Sequence, residues 1–136
     1  NRPEEALIGV MRDADPVDAD IVIAAPAHWL FESTGLECGS VLPGLLGYEV
    51  DCMQGRGPPQ LEVLAASPWT ITGAKPREGV AHMTLASAPS GALIFATGSM
   101  QWAWGLDDFN APALRPSRLN AAAERVTRNL LARFTA

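Results

Sequence analysis

Residues 6–25 read ALIGVMRDADPVDADIVIAA, and the reading of this stretch sets the expected fold. Its two ends, ALIGVM (residues 6–11) and IVIAA (residues 21–25), are short, continuous apolar runs of strand length. The middle, RDADPVDAD (residues 12–20), holds four Asp and Pro16. That is turn chemistry, because Asp side chains bond nearby backbone and Pro fixes φ. The stretch therefore predicts strand, loop, strand. Both strands are expected to be buried on both faces, as in an α/β sheet. A calcium role for Asp13, Asp15, Asp18 and Asp20 is set aside, because the run lacks the Gly and the terminal Glu of a calcium loop.

Working outward, AHWLFESTGLE (residues 27–37) predicts one or two helical turns broken at Ser33-Thr34-Gly35. CGSVLPGLLG (residues 38–47) is rich in Gly and Pro and its first part reads as a loop. Tyr48, Glu49, Val50 and Asp51 alternate like a strand, with Tyr48 and Val50 expected on one face. MQGRGPPQ (residues 53–60) is a loop, residues 61–66 a strand, and residues 67–79 irregular apart from an apolar piece at Trp69 to Ile71. Residues 80–87 and 92–97, joined by Ala88-Pro89-Ser90-Gly91, predict a hairpin. Next comes ATGSMQWAWGLDDF (residues 96–109). Trp102 and Trp104 are two apart, so on a strand they would share a face, as a piece of core or the wall of a pocket.

From Arg118 to Phe134 the apolar positions Leu119, Ala122, Ala123, Val126, Leu130, Leu131 and Phe134 follow an amphipathic helical period, with Ser117 as the expected N-cap. These elements suggest a mixed α/β or α+β domain, and we take the fold class as α/β: a mixed sheet with a C-terminal amphipathic helix. The 136 residues suit a single domain. A chain that opens on Asn rather than Met reads as a fragment, a processed chain or a piece cut from something longer.

Composition excludes some function classes. The chain is 48% hydrophobic and 18% charged, with a net charge of −5. Its ten Lys and Arg form no basic stripe, so nucleic acid is not an expected partner. No apolar run reaches the 18 or so residues that span a bilayer. Cys38 and Cys52 lack C-x-x-C spacing and read as free thiols in a reducing, cytoplasmic compartment, with a single disulfide between them as the alternative.

The candidate chemistry lies in carboxylates and one imidazole. His28 and Glu32 are four apart, so a helical turn would bring them to one face. His28 also follows the end of an apolar strand, where α/β sites gather. Glu49 stands between Tyr48 and Val50. In an apolar setting its carboxyl would be a general base near neutral pH, although alternation equally allows a solvated face shared with Asp51. His82 lies in an apolar run and reads as structural, and neither Cys sits in a nucleophile elbow. The glycines at 44, 47, 55 and 57 make no dinucleotide-binding fingerprint.

Three segments together carry a resemblance: NRPEEALIGVM (residues 1–11), APAHWLFESTGLECGSVLPGLLGYEVD (residues 25–51) and ATGSMQWAWGLD (residues 96–107). In wording and order they resemble the C-terminal domain of the N,N-dimethylformamidase large (beta) subunit family, from about Arg2 to Asp107. The resemblance implies a glutamine-amidotransferase-type α/β fold, of which residues 1–136 would be the C-terminal half of a larger α/β domain, and hydrolysis of a small amide to an amine and a carboxylate. It also implies a mononuclear iron held by Tyr and Glu side chains upstream of this chain, with no cofactor ligand carried over to the residues here.

On that reading Glu32 and Glu49 are the two places for a general base, and His28 orients a carboxylate or the substrate. Trp102, Trp104, Gln101 and Tyr48 line the small-molecule site. The expected partner is the other half of the domain or another subunit. Amidotransferase chemistry itself finds no Cys elbow and no late H-x-E pair here. The alternative is a non-catalytic binding or assembly module that exposes Trp69, Trp102 and Trp104.

Overall fold

Residues 6–25 fold as a short helix and one long strand. The computed structural model describes residues 3–135. A helical turn, α1 (Glu5–Ile8), ends at Gly9, and strand β1 runs unbroken from Met11 to Val22. The expected loop at residues 12–20 is therefore strand, and the expected strand at residues 6–11 begins as helix and joins β1 only at Met11. Ala14, Val17 and Ile21 point inward while the Asp residues face outward or lie half-buried. Pro16 falls in the register shift between Ala14 and Val17. A bulge is where a strand tolerates a residue with no N–H to donate. It also moves the inward positions from even to odd numbers, which hides the period from a simple count.

β2 (Val41–Cys52) pairs antiparallel with β1, from Met11–Cys52 to Val22–Val41. Its Gly-Pro segment is bulged strand rather than loop: Ala19 faces Leu46 while Ile21 faces Leu42. The backbone groups freed there are met by side chains. Gly44 N–H donates to Asp20 Oδ1 at 2.7 Å, and Arg118 Nη1 donates to Gly44 O at 2.6 Å.

β3 (Leu61–Ile71), β4 (Arg77–Ser87) and β5 (Leu93–Ala96) form a second antiparallel sheet in the order β3-β4-β5. The hairpin joining β4 to β5 forms as expected, with Gly91 N–H donating to Ala88 O. The irregular stretch expected at residues 67–79 is instead the end of β3, a turn and the start of β4. Two isolated antiparallel bridges, Ile23–Ala65 and Val50–Ser99, stitch the sheets together at both margins. All described pairing is antiparallel, so the parallel, α/β part of the expected sheet is replaced by two small antiparallel sheets. The two apolar ends of residues 6–25 do not make separate two-sided strands, because the Asp-rich middle between them pairs with β2 as part of one continuous strand.

One core fills the space between the sheets, with Val17, Ile21, Leu42, Leu46, Leu64 and Met83 among its members. The C-terminal helix closes it. α2 (Ala121–Phe134) buries Ala123, Val126 and Leu130, as the period predicts, while Leu119, Leu131 and Phe134 stay exposed. Its N-cap is Asn120, whose side chain accepts from Ala122 N–H and Ala123 N–H at 3.0 and 3.1 Å. The expected cap, Ser117, is three residues too early and donates to Asp108 instead. Both cysteines are free. No described helix is long and apolar enough to cross a membrane.

Candidate functional site

The residues singled out from the sequence fall into three places. The first is the turn after β1. Trp29–Phe31 form a 3-10 turn, with His28 at its N-cap and Glu32 at its C-cap. His28 Nδ1 accepts from Leu30 N–H at 3.2 Å, and Nε2 stands 3.7 Å from Glu62 on β3. Burial pushes the imidazole pKa below its usual value, against the pull of the Glu62 carboxylate. His28 thus holds the turn rather than facing Glu32. Glu32 borders a separate shallow cleft of about 290 Å³, between Trp29 and α2.

The second place is built by the tryptophan-rich run. Met100–Gly105 is a 3-10 turn, not a strand, so Trp102 and Trp104 do not share a strand face. Trp102 is buried and its Nε1–H donates to Thr127 Oγ1 on α2 at 3.2 Å. Trp104 lies half-buried between the Arg115 and Arg118 guanidinium groups, 5.1 and 5.2 Å from its ring centre. Gln101 is buried, and its Oε1 accepts from Arg118 Nη1 at 2.8 Å. Beneath them Ser99 Oγ accepts from Gly47 N–H and Gln101 N–H and lies 2.7 Å from Leu45 O, to which it can donate. The run is a plug whose polar atoms are spent inside the fold.

Arg118 ties this plug to β1 by two bonds to Asp18, at 2.6 and 3.0 Å. It borders a cleft of about 440 Å³ whose charges, Asp18, Asp20 and Arg118, are satisfied by one another and by backbone. Bonds to Arg118 hold the Asp18 carboxyl below the usual carboxylate range. The stability this contributes is present above the ordinary Asp value of about 3.9 and is lost as pH falls below it. Arg118→Ala should cost about 2–3 kcal/mol, read by denaturant unfolding at neutral pH, because it strips partners from Asp18, Gln101 and Gly44 together. A loss under about 0.5 kcal/mol would show that the guanidinium is only a surface ornament.

The third place is a cleft of about 340 Å³ between β2 and the end of β5. It is lined by Glu49, Asp51, Ile8, Phe95 and Met100, with the backbone of residues 96–99 at its base. Glu49 and Asp51 are two apart on β2 and so project to one face, while Val50 between them is fully buried. Tyr48, expected to share the Val50 face, is 56% exposed instead.

The cross-strand partner of Asp51 is Arg12. The Arg12 guanidinium does not turn to it. It pairs with Asp15 and, at 3.2 Å, with Glu49. Asp51 is thereby left among carboxylates. Burial pushes its carboxyl above the usual range, and Glu49 and Glu4 push it the same way. The sequence singled out Glu49 and kept Asp51 only as its neighbour. The signal was there in the i, i+2 spacing; the missing part was where Arg12 points.

Among the described residues, no three His, Cys, Asp or Glu side chains are placed to share a metal ion. Trp69 is 3% exposed and Trp102 8%, so neither is offered to a partner.

Comparison with known proteins agrees with the three quoted segments. Residues 1–116 match the family model described as N,N-dimethylformamidase beta subunit-like, C-terminal. No curated protein matches the chain. The matched residues include all three clefts' strand and turn elements and stop short of α2. The match covers most of the chain, and the chain belongs to the N,N-dimethylformamidase beta subunit-like C-terminal family.

Proposed function

We propose that this chain contributes the proton-handling carboxylates of a site that hydrolyses small amides, with Glu49 as general base. One observation carries the reading: Glu49 and Asp51 open side by side into a cleft that Ile8, Phe95 and Met100 also line, within a chain of the dimethylformamidase-like family. Glu49 is favoured over Glu32 because it has a cationic partner in Arg12 and shares its cleft with a second carboxyl, Asp51. His28 has spent its Nδ1 on the backbone. In this reading Gln101, Trp102 and Trp104 frame the site from behind, and Met100 meets the substrate in their stead. Tyr48 stays at the rim.

The resemblance implies an iron held by Tyr and Glu side chains upstream of these residues, so we assign that ion to other parts of the larger protein and route no step through it. We likewise read the glutamine-amidotransferase-type fold as belonging to the larger domain, completed by its other half or by another subunit, in a reducing, cytoplasmic setting. A second reading, an assembly module, keeps one support: Phe109 and Leu114, before α2, expose 81% and 80% of their surface.

Amine release from N,N-dimethylformamide, measured on the assembled protein, tests the first reading. Turnover is expected, and Glu32→Gln should keep it within about threefold, since Glu32 makes no contact with the proposed base. No release of amine, or a loss of about 100-fold on Glu32→Gln, the scale of a lost acid–base catalyst, would overturn the assignment.

A further inference from the structure

The two carboxylates of the β2 cleft are chemically unequal, and their inequality is built from the register of the strands. Arg12 sits opposite Asp51 yet sends its guanidinium along the sheet to Asp15 and Glu49. Glu49 therefore keeps a cation beside its charge. Asp51 keeps none: the groups that face it are Glu49 on its own strand and Glu4 before α1, both acidic. Its backbone is fixed as well, because Asp51 N–H donates to Gly98 O at 3.1 Å, which anchors the residue to the base of the cleft.

Amide hydrolysis asks for two such groups. A base must take a proton from the attacking water, and an acid must give one to the nitrogen, because a dialkylamide anion is too poor a leaving group to depart unprotonated. Pairs of carboxyl groups whose surroundings push them apart are the usual way one site supplies both.

We propose that Asp51 is the proton donor to the departing amine, acting beside Glu49 in the same cleft. Glu49 removes a proton from water as its oxygen bonds to the amide carbon. The carbon–nitrogen bond then breaks, its electron pair passing to nitrogen, and the Asp51 O–H proton goes to that nitrogen to release a neutral amine. The proton gained by Glu49 returns to Asp51 through water, and the carboxylic acid product loses its own proton to solvent. Ile8, Phe95 and Met100 give the alkyl groups of the amine an apolar wall.

This inference rests on the amide-hydrolase reading above, and its test separates the two. The probes are N,N-dimethylformamide, whose nitrogen needs a proton to leave, and phenyl formate, whose leaving group does not. On the assembled protein, Asp51→Asn should slow the amide by about 100-fold or more and the ester by less than about threefold. The alkaline limb of the amide pH–rate profile should vanish with it.

Ester turnover by the variant also reports that the site is folded. Asn should in fact be well tolerated. Asp51 binds its proton more tightly when folded, so its ionisation opposes folding as pH rises from the ordinary Asp value of about 3.9 through the folded one. The variant should melt at or above the parent at neutral pH. Equal slowing of both substrates, or no slowing of the amide, overturns the assignment of Asp51. If instead the parent protein releases no amine from N,N-dimethylformamide, the amide-hydrolase reading fails, and the role of Asp51 with it.

Discussion

Gly98→Ala should destabilise the protein by about 3–5 kcal/mol, enough to unfold it near its working temperature given a usual whole-domain stability of about 5–15 kcal/mol. Two costs add. Gly98 has a φ of +67°, which a side chain rarely adopts, and forcing one there costs about 1–3 kcal/mol. A Cβ would also overlap the backbone carbonyl of His82, which cannot yield as a side-chain tip could. The strands must part there, at the place where Asp51 N–H bonds Gly98 O and Val50 bridges Ser99. Chemical unfolding of the variant reads the loss, and a change under about 1 kcal/mol would show that this junction is slack. Gly47 is built in the same way, with φ +138° and the Val17 carbonyl where its Cβ would stand. The two glycines explain why so distinctive a motif as ATGSMQWAWG can be structural.

Glu49→Gln should lower amide turnover by about 10²–10⁴-fold, the usual contribution of a positioned acid or base, while leaving the fold intact. Gln keeps the shape of the side chain and removes its ability to take a proton. The residue is half-exposed, and its one described ionic partner, Arg12, retains Asp15. An exposed ion pair of this kind contributes about 0–1 kcal/mol, so the melting temperature should barely move. Steady-state turnover of N,N-dimethylformamide checks it, and an unchanged rate would remove Glu49 from the chemistry.

Some of this was legible in the sequence, and the reason differs from element to element. The helix from Ala121 to Phe134 was visible because its buried residues, Ala123, Val126 and Leu130, recur at the helical period, a purely local property. The β4–β5 hairpin was visible because Pro89, Ser90 and Gly91 mark its turn. β1 was not, because the bulge at Pro16 changes which residues face inward partway along it. Glu49 stood out within GYEVD, yet its distinction from Asp51 depends on where Arg12 reaches across a strand pair. Arg118 was read only as the start of a helix. Its contacts with Asp18 lie 100 residues away, and no local pattern announces such a pairing.

The central claim is a division of labour: the tryptophan-rich plug and its arginine hold the fold, and the β2 carboxylates do the chemistry. Melting temperature and amide turnover, measured together on Glu49→Gln and on Arg118→Ala, test it most directly. Glu49→Gln should keep the parent melting temperature and lose its turnover. Arg118→Ala should melt several degrees lower, as a loss of about 2–3 kcal/mol requires, and turn over normally when assayed well below that temperature. The reverse pattern, a stable but inactive Arg118 variant beside an active Glu49 variant, would contradict the account.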